Sequence, residues 1–246
     1  MKMSGSINGK ERIAMPATAP AWQGAVECDG CAFRRFGLFA DLHAEDLAQQ
    51  PFPIDRLSLA AGDPLYQEGG RARSVFSIVG GVVKLEKISP SGGRRIVRLH
   101  RSGDAIGLEA LLGLDYEHTA TALRPMSVCR IPSVAIDELG HRSSRLVKQL
   151  MARWHQAVHQ ADLCLTLLST GSARARVARL LLYLGGEGRG SVCDGLTRED
   201  MASLLSITVE TASRVVAEFR RRGVITAMGS NRFLLATGAL REIAEN

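Results

Sequence analysis

The sequence predicts an α+β protein in three parts: an N-terminal antiparallel β-roll of cupin-like form, a long dimerisation helix, and a C-terminal winged helix-turn-helix. Three observations predict it. Short strand-like runs, punctuated by glycine pairs, fill residues 55–132, as in a barrel or roll. Residues 133–168 hold almost no Gly or Pro and repeat apolar side chains at three- and four-residue steps, the period of a helical seam. The last part reads helix, tight break, helix and hairpin, a winged helix-turn-helix. The divisions are a flexible tail over 1–27, the roll as sensor or effector domain over 28–132, the dimerisation helix over 133–168, and the winged helix-turn-helix over 169–246.

The tail begins MKMSGSINGKERIAMPATAPAW. It is rich in Gly, Ser, Ala and Pro and lacks the compact apolar core of a signal peptide. The stretch VECDGCAFRRFGLFADL then sets Cys28 and Cys31 two residues apart. Such a pair begins half a zinc site, a redox disulfide or part of an iron–sulfur cage, and each needs partners.

In the roll, DRLSLAAGDPLYQEGG closes on Gly69–Gly70. Two strand-like runs follow, broken at Gly80–Gly81, with a turn at SPSGG. RSGDAIGLEALLG interrupts the alternation and reads as a loop plus a short helical turn, and TATALRPMSVCRIP returns to strand.

Along the helix, Val147, Leu150, Trp154, Ala157, Ala161, Cys164 and Leu168 form a heptad seam. Leu146, Met151, Val158 and Leu165 make a second apolar stripe beside it. One stripe serves the roll and the other a partner helix; a single buried helix with a broad apolar face is the alternative. The seam carries no charge, and Asp162 stands beside it. That predicts a dimer that holds without a bound metal to tip the balance.

In the last part, GSARARVARLLLYLGGE is a helix ending at Gly185–Gly186. Thr197 caps the next helix, with Asp200 in capping-box position. After the break at SIT, Thr208 caps a second helix whose apolar residues are Ala212, Val215, Val216 and Phe219, and Gly223 ends it. VITAM and RFLLA read as the hairpin.

The N-terminal part of such a second helix enters the major groove. Glu210, Thr211, Ser213 and Arg214 stand there, and Glu210, Ser213 and Arg214 share one face. Arg grips guanine with two hydrogen bonds, Glu accepts from cytosine N4, and Ser serves either role. Arg220, Arg221 and Arg222 at the far end suit phosphates. The competing reading is an exposed ion pair between Glu210 and Arg214.

Composition agrees. The 246 residues are 46% hydrophobic and carry a formal net charge of +6, which favours a polyanionic partner, nucleic acid or an acidic membrane surface. The five cysteines, an odd number, argue for a reducing compartment, and the chain reads as cytoplasmic. No apolar run approaches the ~18 residues of a membrane span. No Ser/His/Asp set, phosphate loop or paired carboxylates stand in a recognisable frame, so the chain does not read as an enzyme. His100, His118, His141, His155 and His159 are scattered; the i,i+4 pair His155 and His159 falls on a polar helix face.

The order of roll, long helix and winged helix-turn-helix resembles the CRP/FNR superfamily of bacterial transcription regulators. Gly62, Asp63, Leu65, Glu68, Gly69, Phe76, Ile78, Gly81, Val83 and Lys84 are similar to its effector-domain pattern. TVETASR, Thr208–Arg214, is similar to the recognition helix of the FNR branch; the cyclic-AMP branch has Arg where Val209 stands. The resemblance implies a TTGAT inverted repeat of double-stranded DNA, a symmetric homodimer, and RNA polymerase as a protein partner. Cyclic-nucleotide-binding members place an Arg where this chain has Glu117–His118–Thr119. A cyclic phosphate would go unpaired there, so cyclic AMP is not expected.

The FNR branch senses oxygen with an iron–sulfur cluster held by N-terminal cysteines and one roll cysteine. Cys28 and Cys31 match the first two, Cys129 matches the roll position, and Gly37 stands where the third N-terminal cysteine should be. The chain thus offers three thiolates where an all-thiolate cluster takes four. Three readings stay open. A [4Fe–4S] or [2Fe–2S] cluster could take a fourth ligand from Asp29, Asp41, His43 or Glu27. Cys28 and Cys31 could form a reversible disulfide or bind zinc. The site could be a relic in a regulator that needs no effector. Cys164 on the seam and Cys193 in a loop read as plain residues. The signal, whether oxygen, nitric oxide or redox state, is not encoded legibly.

Overall fold

Buried and half-buried residues alternate along Asp55–Leu59, the mark of a strand with one face on a core. The computed structural model describes residues 37–40, 42–43, 45, 53–89, 92–185, 191–194, 196–229 and 231–245, with the backbone of 21–25. Its first nine strands are β1 (Ala21–Ala25), β2 (Asp55–Leu59), β3 (Pro64–Tyr66), β4 (Ser74–Gly80), β5 (Val82–Ile88), β6 (Arg94–Arg101), β7 (Ala105–Ile106), β8 (Thr119–Ala122) and β9 (Met126–Pro132). A short 3-10 turn, Leu108–Leu112, stands between β7 and β8.

One sheet runs β1-β2-β9-β4-β7 and the other β3-β8-β5-β6, with antiparallel pairing throughout. Leu57, Ile78 and Val128 of the first sheet meet Val83, Leu85 and Ala120 of the second in one buried core. Leu38, Phe39 and Leu42 enter the same core, so the stretch after the cysteine pair packs on the roll. The β4–β5 turn depends on Gly81: its φ is +92° and a Cβ there would lie 2.4 Å from Met126 Cβ, a position closed to any side chain.

Two expectations for this half need correction. The backbone of Ala21–Ala25, inside the expected tail, pairs antiparallel with β2; the edge of β2 supplies a hydrogen-bonding partner that Ala- and Pro-rich composition does not reveal. The rest of the tail lies outside the described residues. The long helix is two helices, α1 (Ser133–Arg142) and α2 (Ser144–Thr166). Ser143 between them is extended, at φ −131° and ψ 104°, and adjacent serines favour helix ends over interiors.

The last part holds α3 (Ala173–Gly185), β10 (Val192–Asp194), α4 (Arg198–Leu205), α5 (Val209–Arg221), β11 (Ile225–Gly229), β12 (Arg232–Leu235) and α6 (Thr237–Glu245). The strands form a sheet in the order β10-β12-β11. The hairpin and both capped helices match expectation. The third strand and α6 were not anticipated, and Cys193 sits on β10 opposite Phe233 rather than in a loop. Leu180, Leu181, Met201, Leu205, Phe219 and Leu240 are fully buried in a second core. Cutting Phe219 to Ala would cost about 3–5 kcal/mol.

The two cores touch. Ser203 Oγ accepts from Ile96 N at 2.9 Å and donates to Arg94 O at 3.0 Å, so α4 closes hydrogen bonds along β6. Lys84 Nζ lies 2.7 Å from Asp200 Oδ1 and 3.1 Å from Glu86 Oε1. Arg101 donates to Tyr183 O at 2.9 Å and lies 4.7 Å from that ring's centre.

Candidate nucleic-acid interface and cysteine site

The helix-turn-helix is set by its caps. Thr197 Oγ1 accepts from Asp200 N at 3.1 Å, and Thr208 Oγ1 accepts from Thr211 N at 3.1 Å. Each cap satisfies an N–H that the first turn leaves without a partner, worth about 1 kcal/mol. Ser206, in the turn, takes the left-handed conformation at φ 54°. Arg176 of α3 donates to Leu205 O at 2.7 Å and pins the end of α4.

The α5 face opposite the core is open. Ala212, Val215, Val216 and Phe219 are buried, whereas Glu210, Ser213, Arg214, Arg220 and Arg221 are exposed and Thr211 is half-buried. The three proposed base-reading side chains therefore leave the protein on one side, at the N-terminal end of the helix. No ion pair joins Glu210 to Arg214 among the described residues. The Glu210 carboxyl is held below its usual range by its own backbone N–H, then by the Thr208 hydroxyl and the Arg214 charge. Arg222 is engaged within the chain: Glu218 accepts from Arg222 Nη1 at 3.3 Å and from Arg174 Nε at 2.9 Å. The Arg174–Glu218 pair braces α5 on α3, and Arg176 holds the end of α4 against the same helix. Sequence reasoning missed these contacts, because no local motif announces partners 29 and 44 residues apart.

The seam is reapportioned. Ala157 and Leu168 are buried inside the chain, and Leu150 packs on the roll core. Leu146, of the second stripe, is wholly buried there too. Ala161 and Cys164 line a groove of about 380 Å³ between α2 and β6. Burial pushes the Cys164 thiol above its ordinary pKa. Val147, Met151, Trp154, Val158 and Leu165 remain exposed, at steps of four, three, four and seven residues. The open apolar face thus mixes members of both expected stripes. Two adjacent stripes on one helix give no local sign of which the roll will cover. His155 and His159 are exposed on α2.

Of the proposed cluster ligands, Cys28 and Cys31 lie outside the described residues, as do Glu27, Asp29 and Asp41. Cys129 is half-buried on β9, opposite Arg56 of β2 and Ser77 of β4. His43 is exposed. Gly37, at the place of the absent thiolate, accepts through its carbonyl from Arg153 Nη2 of α2 at 3.2 Å.

No helix among the described residues is long and apolar enough to cross a membrane. The profile of the cyclic nucleotide-binding domain matches residues 56–143, and that of the Crp-like helix-turn-helix domain matches residues 175–243. The chain is 27% identical over 227 residues to a fumarate and nitrate reduction regulatory protein of Vibrio cholerae, covering 89% of this chain and 91% of that one. It is 28% identical over 217 residues to the transcriptional activator protein anr of Pseudomonas aeruginosa, covering 85% and 89%. A transcriptional regulator of the CRP family from Thermus thermophilus superposes with a TM-score of 0.67 at 26% identity, over 77% of this chain and 96% of that one. Another regulator from the same organism, of the CRP/FNR family, superposes with a TM-score of 0.62 at 28% identity, over 78% and 98%.

Proposed function

The chain belongs to the CRP/FNR superfamily of bacterial transcription regulators, and from that membership we propose that it is a cytoplasmic homodimer that reads a TTGAT-like palindrome and addresses RNA polymerase from it. The observation that carries the reading is the exposed face of α5. Glu210, Ser213 and Arg214 project together from a helix whose other face is buried. Arg214 reads guanine, Glu210 reads cytosine of the opposite strand, and Ser213 adds a contact to either. Arg220 and Arg221 take phosphates and set the register. The partner copy joins through the open face of α2, and two-fold symmetry then demands an inverted repeat.

Oxygen or redox state is the proposed signal, received at Cys28, Cys31 and Cys129. Three thiolates fit an iron–sulfur cluster only if an oxygen or imidazole donor completes the set, from Asp29, Asp41 or His43. When bound, the cluster would supply oxygen-sensitive redox chemistry. The missing thiolate also favours a second reading, a reversible Cys28–Cys31 disulfide. Cyclic AMP is not assigned, because the chain has Glu117–His118–Thr119 where cyclic-nucleotide-binding members place the Arg that would pair the phosphate.

The reading is tested by anaerobic titration of the full protein on a TTGAT inverted repeat and on its scrambled counterpart. The palindrome should bind at least about 10³-fold more tightly at equal salt. Equal affinity for both would overturn it.

A further inference from the structure

Behind the open face of α2 lies a cleft that DNA reading leaves unused. Its volume is about 680 Å³, and the β6–β7 turn, α2, α3 and α6 all contribute to its walls. Gln156, Gln160, Leu163 and Leu167 line it from α2 and its end. They stand about half a turn round the helix from Trp154 and Val158. The cleft therefore faces away from the apolar surface offered to a partner copy.

Positive charge gathers there. Arg101 of β6, Arg179 of α3 and Arg241 of α6 line the cleft. Arg101 donates to Tyr183 O at 2.9 Å. Arg179 donates to Ala244 O at 2.8 Å and to Leu167 O and Thr170 O at 2.9 Å. These acceptors are neutral carbonyls, so they satisfy donors without balancing charge. Arg241 is exposed and joins no ion pair among the described residues. Asp104 is the one carboxylate among the described residues that line the cleft. It already accepts from Gln156 at 2.8 Å, from Gln160 at 3.3 Å and from Arg101 N at 3.0 Å, and it lies 3.3 Å from His100 Nδ1. Three guanidinium charges thus face one carboxylate that is already surrounded. That selects an anion, and guanidinium forks match carboxylates and phosphates.

Gln160 narrows the class. Its Nε2 donates to Asp104, which leaves Oε1 as the free acceptor, and Oε1 is buried without a hydrogen-bond partner. A buried acceptor of this kind calls for a donor. A simple carboxylate or sulfate has none to give, whereas a hydroxyl on the same molecule does. Leu163, Leu167 and Leu182 add apolar wall for a carbon skeleton. We propose that this cleft binds a small hydroxy acid with two or three carboxylates, its carboxylates on Arg101 and Arg241 and its hydroxyl donating to Gln160 Oε1. Such a ligand joins the roll to α6, the last helix of the part that reads DNA.

The probes are citrate and tricarballylate, which share three carboxylates and differ by the citrate hydroxyl. Each is titrated calorimetrically into the full-length protein at neutral pH, at ionic strength held constant by sodium chloride, with sodium sulfate as a third arm. Citrate should bind saturably, and tricarballylate about three- to tenfold more weakly for want of one hydrogen bond. Arg241→Ala, at an exposed position, should raise both midpoints about tenfold and keep their ratio. Gln160→Met should bring citrate down to the level of tricarballylate; if that variant does not fold, the wild-type ratio carries this arm. No saturable binding of citrate, equal midpoints for citrate and tricarballylate, sulfate as tight as citrate, or an unmoved midpoint in Arg241→Ala would each overturn the proposal. The titration contains no DNA, so its failure leaves the DNA-reading assignment standing.

Discussion

Gly37 and Cys129 show how far single residues reach in this chain. Cys129 was recognisable as a site candidate only through its match to a known pattern, and β9 places it half-buried in the roll. If it closes a cage with Cys28 and Cys31, all three thiolates are needed and losing one removes the iron. Anaerobic reconstitution with iron and sulfide should therefore load the wild type and Cys164→Ala, but not Cys28→Ala, Cys31→Ala or Cys129→Ala. Gly37→Cys should add the missing thiolate and slow iron loss in air. A colourless, iron-free wild type would falsify the cluster, and the disulfide reading would then require Cys28 and Cys31 but not Cys129. Residues that position others were illegible. Arg176, Glu218, Asp104 and Ser203 sit in no motif, and each acts through a partner that the fold alone brings near.

At the scale of elements, α2 was legible as a helix and misread as a surface. The roll and the second core cover Leu146, Ala157 and Leu168. The face left open runs through Val147, Met151, Trp154, Val158 and Leu165. No charge interrupts it, so the protein in air should be largely dimeric at micromolar concentration. Val158 is 54% exposed, so Val158→Asp should leave the protomer folded. It should also set two carboxylates facing each other across the two-fold axis and give monomers. Sedimentation velocity decides: a wild-type monomer in air, or a dimeric Val158→Asp, would show that the interface lies elsewhere. Where one boundary condition governs, as at the hydroxyl caps Thr197 and Thr208 or the Gly223 stop, elements were read to within a residue or two. Local chemistry sets those ends, whereas burial of α2 depends on the whole roll.

Across the whole molecule, a polar joint ties the roll to the helices that carry the reading head. Asp104 accepts from Gln156 at 2.8 Å and Gln160 at 3.3 Å on α2, and from Arg101 N at 3.0 Å within the roll. Burial alone would raise its pKa, but the His100 ring, the Arg101 N–H, the His100 charge and Gln160 outweigh burial and hold it low. A carboxyl held below its unfolded value stabilises the fold above that value and loses the contribution as pH falls through the folded one. Asp104→Asn should thus lower stability by about 1–3 kcal/mol at pH 7, with the gap to wild type closing as acid brings the pH to about 4 and below. Denaturant midpoints across that range check it; a gap independent of pH would assign the loss to packing. Beside this joint, Ser203 and Lys84 dock α4 on the roll, which ties the roll to the helix that precedes α5. The central claim is that α5 reads sequence at its N-terminal end and phosphates at its far end. Fluorescence anisotropy of Arg214→Ala and Arg221→Ala on a TTGAT palindrome and on random DNA, over a salt series, tests it most directly. Arg214→Ala should lose discrimination at the G·C pair, roughly 1–3 kcal/mol per half-site, with its salt slope kept. Arg221→Ala should weaken both DNAs alike and flatten the slope. Equal losses on both DNAs for both variants would contradict the assignment of α5 as the reading helix.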